Sequence, residues 1–169
     1  MQIKKEFRGL IPPLTNEEFE QLEKNCLDYG IRDKLIIWND FIVDGHNRYD
    51  IAQKHNLDFK TEEVDFADEE EAKIFIIDLQ LARRNLSEFV KIELQSKKKE
   101  ILLIIGKEKK IEAGKLYGEK HPKEDLLLNN KTSHNTQKIL ADELKISPAK
   151  LAQAEVIIKK APEEVKEKK

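Results

Sequence analysis

A single cysteine in 169 residues excludes a disulfide framework and any zinc site built from cysteines. Cys26 shares a helix-patterned stretch with Phe19, Leu22 and Leu27 and reads as a small core residue. No run approaches the roughly 18–20 apolar residues of a membrane span. The opening MQIKKEF leads into no apolar segment, so no signal peptide is expected and the expected compartment is the cytoplasm. Arginine is scarce and one-sided: Arg8, Arg32, Arg48, Arg83 and Arg84 are the full set, all in the N-terminal half. The C-terminal half is basic through lysine alone, which removes from it the commonest specific reader of base edges.

The net charge of -2 conceals a split. Residues 1–95 carry 13 Lys/Arg against 21 Asp/Glu, a balance of -8, whereas residues 97–169 carry 18 against 12, a balance of +6. An acidic module followed by a basic one is expected, and the basic one suits a polyanion.

Thr15 with Glu18 three positions on is a capping box, and Leu14 with Phe19 fits a hydrophobic staple around it. A helix is expected over about 16–28, ending near Gly30. Leu35-Ile36-Ile37-Trp38 and Phe41-Ile42-Val43 flank Asn39-Asp40, which reads as a β-hairpin. Both runs are continuously apolar, so both faces of these strands should be covered. A helix over about 47–55 and a strand over 59–66 follow, with Phe59, Val64 and Phe66 as the apolar members of that strand. Asp68-Glu69-Glu70-Glu71 opens another helix, where the dipole favours acidic residues, and it continues through Ala72, Phe75, Ile76 and Leu79. From residue 86 a long helix capped by Asn85 or Ser87 is expected through Phe89, Ile92, Leu94, Ile101 and Leu102. Gly106, Gly114, Gly118 and Pro122 then punctuate a lysine-rich stretch that reads as a linker.

Two segments carry candidate chemistry. In Val43-Asp44-Gly45-His46-Asn47-Arg48 a strand runs into a glycine and then a helix start. Such a corner suits an anion: glycine lets the backbone come close, first-turn N–H groups point outward, and Arg48 adds a forked donor pair. His46 and Asn47 supply further donors; an N-capped surface turn is the plainer alternative. The second segment, Asp78-Leu79-Gln80-Leu81-Ala82-Arg83-Arg84-Asn85-Leu86-Ser87, joins two helices. Its paired arginines are either a second anion clamp or solvated charges.

These two segments, in the order helix, Gly30, apolar strand, VDGHNRY, helix, QLARRNLS, resemble the N-terminal domain of the ParB/Spo0J partition proteins and the wider ParB/sulfiredoxin superfamily over about residues 10–95. In that family the first motif reads Gly-Glu-Arg-Arg and cradles a nucleoside triphosphate; Gly45 and Arg48 match its ends, and His46 and Asn47 replace its middle. The second motif reads Glu-Asn-x-x-Arg; Arg83 matches, Gln80 is close to the family's Asn, and Leu79 replaces the Glu that helps hold Mg²⁺ in CTP-binding members. The resemblance thus implies an α+β fold and a nucleotide site at Gly45, His46, Asn47, Arg48, Gln80, Arg83 and Arg84, with CTP and Mg²⁺ as the implied ligands. A sulfiredoxin needs a cysteine where His46 stands, so its chemistry is not expected.

The third segment, Gln137 to Ala154, fits the helix-turn-helix template. Ala141 takes the small position where the helices cross, and Leu140, Leu144, Ile146, Leu151 and Ala154 take the apolar ones. Ser147 is placed as N-cap and Pro148 at the first helical position. Lys145 stands where the turn usually has glycine, and an ordinary helical hairpin is the alternative. In a helix-turn-helix the second helix enters the major groove, so Ser147, Ala149, Lys150 and Gln153 face base edges. Lys138, Lys159, Lys160 and the lysines of 97–123 are the phosphate contacts.

The sequence expectation is therefore an α+β ParB-like domain over 1–90, then an all-α DNA-binding domain over 91–169 with a helix-turn-helix at about 136–158. The expected function is DNA binding in a plasmid, phage or mobile element, for partition, replication control or transcriptional regulation. Double-stranded DNA, a Walker-type partition ATPase and a second copy of the chain are the partners the resemblance implies. A nucleotide-dependent enzyme of the same superfamily (phosphotransferase, nuclease or CTPase) and an interaction module without ligand stay open as alternatives.

Overall fold

The computed structural model describes residues 1–83, 86–117, 138, 142 and 147–160. The chain divides into two compact units, Met1–Arg83 and Arg84–Lys169. The long helix of the second unit begins at Glu88, so the expected boundary at 90/91 lies inside it.

The first unit is mixed α and β. A single turn, α1 (Lys5–Arg8), precedes α2 (Asn16–Tyr29), β1 (Leu35–Trp38), β2 (Phe41–Asp44), α3 (His46–His55), β3 (Thr61–Glu63) and α4 (Glu69–Leu81). The α2 start is the expected capping box: Glu18 N–H donates to Thr15 Oγ1 at 3.2 Å and Thr15 N–H donates to Glu18 Oε2 at 2.9 Å. The helix closes on Gly30 at φ 73°, a left-handed stop that glycine takes without strain. Asp68 caps α4 by accepting the Glu71 N–H at 2.8 Å.

The sheet order is β2-β1-β3, with β1 antiparallel to β2 and parallel to β3. Asn39 and Asp40 turn the hairpin with φ 47° and 65°, the paired positive angles of a two-residue turn that matches strand twist. The register shifts between Ile36 and Ile37, leaving Val43 as an extra residue on β2. Ile42 and Val43 are both buried and Asp44 ends the strand. Outside β2, Gln2 forms an isolated bridge with Phe41: Gln2 N–H donates to Asp40 O at 2.8 Å and Ile42 N–H to Gln2 O at 3.0 Å.

Phe7, Val43, Ala72 and Ile76 form the core cluster, with Trp38, Phe66 and Phe75 packed on it. Each large apolar side chain fully withdrawn from water contributes about 1.5–3 kcal/mol. Lys4 holds the short α1 in place: it pairs with Glu69 and lies over the Phe7 and Phe41 rings at 5.5 and 5.4 Å. Cys26 is buried, as its setting in α2 suggests.

One strand departs from expectation. β3 covers only Thr61–Glu63, and all of its residues are exposed. Phe59 and Phe66, expected as its apolar members, lie outside it and pack edge-on against Tyr49 and Trp38 with centroids 5.8 and 6.1 Å apart. The apolar spacing marked two loop anchors rather than a strand face.

In the second unit α5 runs from Glu88 to Tyr117 and α6 from Pro148 to Lys160. Ser87 caps α5 by accepting the Val90 N–H at 3.3 Å; the other candidate cap, Asn85, lies outside the described residues. The expected linker near Gly106 and Gly114 is instead continuous helix. Single glycines cost only about 1 kcal/mol in a helix interior, too little to break one of this length. Gly118, Pro122 and Leu126 to Leu128 lie outside the described residues. Ile92, Leu94, Ile101 and Leu151 are buried here.

The hairpin offers a direct check. Asp40→Gly should raise stability by roughly 0.5–1 kcal/mol, since Asp40 takes a left-handed angle that glycine adopts freely. Urea unfolding of the two proteins measures it.

Candidate functional site: the Gly45 corner

The site is built where β2 hands over to α3. Gly45 is the N-cap of α3 at φ 95°, ψ 20°, and supplies no capping side chain. The first helical bond runs from the Tyr49 N–H to Gly45 O at 2.9 Å. The N–H groups of His46, Asn47 and Arg48 precede it and have no acceptor within the helix. They and the positive end of the dipole face an open cleft of about 390 Å³ whose lining includes Asp44, Gly45, His46, Asn47, Arg48 and Arg83. Five of the seven residues expected to bind nucleotide thus converge on one cleft.

Glycine is needed here twice over. A Cβ at Gly45 would stand 2.4 Å from Leu35 Cδ2 and 3.2 Å from Arg48 Nη2, at a backbone angle other residues avoid. The Arg48 guanidinium therefore lies back against the backbone of residue 45. Its Nη2 donates to Asp44 Oδ2 at 2.8 Å, and its Nη1 donates to the Asp33 carbonyl at 3.1 Å and stands 3.4 Å from the Asp33 carboxylate. Arg83 approaches the other Asp44 oxygen at 3.9 Å.

His46 is 2 % exposed, and neither ring nitrogen has a hydrogen-bond partner. It lines this cleft and a neighbouring one of about 450 Å³ bounded by Arg8, Pro12, Pro13, Leu14 and Phe19. Burial first, and then the positive charge of Arg8, hold its pKa below the ordinary histidine value, against the opposite pull of Asp44 and Asp50. Arg8 itself is forked onto Asp50, with contacts of 3.2 and 2.5 Å. The buried imidazole thus leaves hydrogen-bonding capacity unused on both nitrogens at the start of α3.

The remaining expectations divide. Gln80 is 1 % exposed with both amide atoms unpartnered, and it does not line the cleft. Arg84 lies outside the described residues. Asp44 lines the cleft as the carboxylate the phosphotransferase alternative would require, whereas Asp33 and Glu18 were not anticipated as site residues. Asp44 was visible in the VDGHNR string; Asp33, eleven residues away, carried no signal. Among the described residues no three His, Cys, Asp or Glu side chains gather as a metal site.

In the second unit Ser147 caps α6, accepting the Lys150 N–H at 3.2 Å. Ser147, Ala149, Lys150 and Gln153 are exposed, as is Lys138, while Leu151 is fully buried. Lys150 Nζ pairs with Glu88 at 2.6 Å, an exposed pair that exchanges readily. The first helix and turn of the expected helix-turn-helix lie outside the described residues apart from Lys138 and Asp142. Among the described residues no helix is long and apolar enough to cross a membrane.

Two outcomes follow for the corner. Gly45→Ala should cost about 1–3 kcal/mol in thermal or urea unfolding, through the left-handed angle and the Leu35 clash. For His46, a depressed folded-state pKa means that the unfolded chain binds the proton more readily. Its stability contribution is then full above pH 6.5 and is lost as pH falls towards the lower folded value. Between about pH 7 and about pH 5 the native chain should lose more stability than His46→Asn, and equal losses would contradict a buried neutral imidazole.

No protein-family model and no curated protein sequence matches the chain. Solved structures do. A C222₁ crystal form of a Pnob8-like ParB-N domain superposes with a TM-score of 0.60 at 23 % identity, covering 89 % of this chain. A second structure of the pNOB8-like ParB N-domain gives a TM-score of 0.62 at 21 % identity over 92 % of this chain. The chain spans 62 % and 60 % of the length of those two proteins. The likeness extends well beyond the residues that carry the sequence motifs, and the chain has the fold of a ParB N-domain.

Proposed function

We propose that this protein is a DNA-binding ParB-like protein of a plasmid, phage or other mobile element, acting in partition, replication control or transcriptional regulation. The observation that carries the reading is the fold correspondence with two ParB N-domain structures over about nine-tenths of the chain. The charge split supports it: the polyanion-facing half is the lysine-rich one, where Lys138, Ser147, Ala149, Lys150 and Gln153 are exposed. Double-stranded DNA is the principal partner. A Walker-type ATPase, a second copy of the chain and a nucleoid or plasmid location complete the proposal.

A nucleoside triphosphate at the Gly45 corner would modulate this activity. The uncapped α3 N-terminus takes a phosphate, Arg83 adds a donor, and His46 and Asn47 supply further hydrogen bonds. CTP is the first candidate. Any Mg²⁺ would be carried by the phosphates themselves, as this ion commonly is. Arg48 contributes chiefly by fixing the turn, and the backbone at Gln80 closes the turn that presents Arg83, whose N–H donates to Gln80 O at 2.9 Å.

Titration of labelled random duplex DNA by fluorescence anisotropy tests the main reading. With about four phosphate contacts, affinity should fall about 100-fold from about 50 to about 200 mM salt. Lys150→Ala with Gln153→Ala should weaken binding further at every salt concentration. A flat salt response would exclude the basic half as a phosphate-binding surface. Calorimetry with CTP, ATP and ADP tests the nucleotide.

A further inference from the structure

The two arginines of the corner are not equivalent. Arg48 is 18 % exposed, rests against Gly45 and is engaged by Asp44 and by both the carbonyl and the carboxylate of Asp33. Arg83 is 44 % exposed, and its one ion pair among the described residues is a loose 3.9 Å approach to Asp44. Arg48 is thus committed to holding the turn, and Arg83 is the arm with donors to spare. Between them stands Asp44, itself only 18 % exposed, with one carboxylate oxygen towards each arginine.

Asp44 is the last residue of β2 and immediately precedes the α3 N-cap. Its negative charge therefore occupies the surroundings in which an incoming phosphate would be placed. The charged residues lining the cleft are Arg48 and Arg83 against Glu18, Asp33 and Asp44. A bare monoanion meets a site whose two cations are outnumbered by three carboxylates. We infer that Asp44 is a resident counter-anion of the cleft, which a bound polyphosphate must displace from Arg83, so that Asp44 sets the affinity threshold of the site and Arg83 is the arginine that holds the ligand. This rests on the anion-binding reading of the Gly45 corner.

The inference explains why an apparent arginine clamp is lined with carboxylates. A polyphosphate can engage Arg83 and the helix N-terminus together, whereas inorganic phosphate or chloride gains too little to replace Asp44. The site then responds to polyphosphates and ignores the smaller anions abundant around it. Arg48 keeps its Asp33 contacts throughout, so the turn persists when Asp44 is released.

Isothermal titration of the 169-residue chain with pyrophosphate and with inorganic phosphate tests this. Asp44→Asn keeps the shape and a hydrogen-bond acceptor for Arg48 while removing the charge. It should bind pyrophosphate about tenfold more tightly than the native chain, because a like charge within ~4–6 Å of an anion is removed. It should also gain measurable affinity for inorganic phosphate. Arg83→Ala should lose pyrophosphate binding, and adding Asp44→Asn to it should restore little. Asp33→Asn is the control, since it removes the same charge from the same cleft at a residue whose one ion pair among the described residues is with Arg48, not Arg83, and its gain should be clearly smaller. Equal gains from Asp33→Asn and Asp44→Asn would reduce the effect to bulk charge and overturn the inference. So would native binding that Asp44→Asn leaves unchanged or weakens. If neither the native chain nor any variant binds pyrophosphate, the anion reading of the corner fails and takes the inference with it. Should Asp44→Asn not fold by thermal denaturation, Asp44→Ser carries the same comparison.

Discussion

The contact on which the corner depends is the Arg48 guanidinium folded back over Gly45, held by Asp44 on one side and by Asp33 on the other. Without a side chain at residue 45 the arginine reaches back to the end of the preceding strand, β2, and, at the same time, to the loop before β1. Three segments distant in sequence or direction are thereby tied at one point: the Asp33 loop, the end of β2 and the first turn of α3. The helix axis and its open N-terminus are aimed by this tie. The cleft opens at that N-terminus, where the first-turn N–H groups are left without helical acceptors.

The tie rests on a core assembled from opposite ends of the unit. Phe7 arrives on a single helical turn, too short to be stable alone, and is seated by Lys4 acting on Glu69 and on two aromatic faces. Val43 reaches the same cluster because the register shift in β2 lets it and Ile42 both be buried, leaving Asp44 as the strand's last residue. Packing and site geometry are therefore set by the same irregularity. In a regular strand the inward and outward positions would simply alternate, and two consecutive buried residues would be harder to reconcile with a carboxylate at the strand end.

Much of this was legible in the amino-acid string because it is local. The capping box at Thr15, the Asn39-Asp40 turn, the acidic start of α4 at 68–71 and the glycine between strand and helix each depend on residues within a few positions of one another. The gathering of Gly45, His46, Asn47 and Arg48 was legible for the same reason, and Arg83 came in through the second motif. What was not legible is long-range. Phe59 and Phe66 had strand-like spacing but serve as anchors in separate aromatic pairs, and the actual strand between them is polar. The glycines at 106 and 114 looked like punctuation, yet length and cooperativity carry α5 through them. Asp33 entered the site only because Arg48 bends towards it, a direction no spacing rule contains.

The small sheet has one further consequence, which concerns its edges. A strand edge left open is a template for a second chain, and three strands necessarily have two edges. The β2 edge is taken up by Gln2, whose two backbone bonds bracket the Asp40–Ile42 stretch. The β3 edge is only Thr61–Glu63, exposed and acidic, with Glu62 and Glu63 on opposite faces and Glu62 paired to Lys34 at 3.3 Å. A second copy adding itself there would stack like charges along a ladder of a few hydrogen bonds. Among the described residues the sheet thus offers a second chain little edge on which to grow by strand addition.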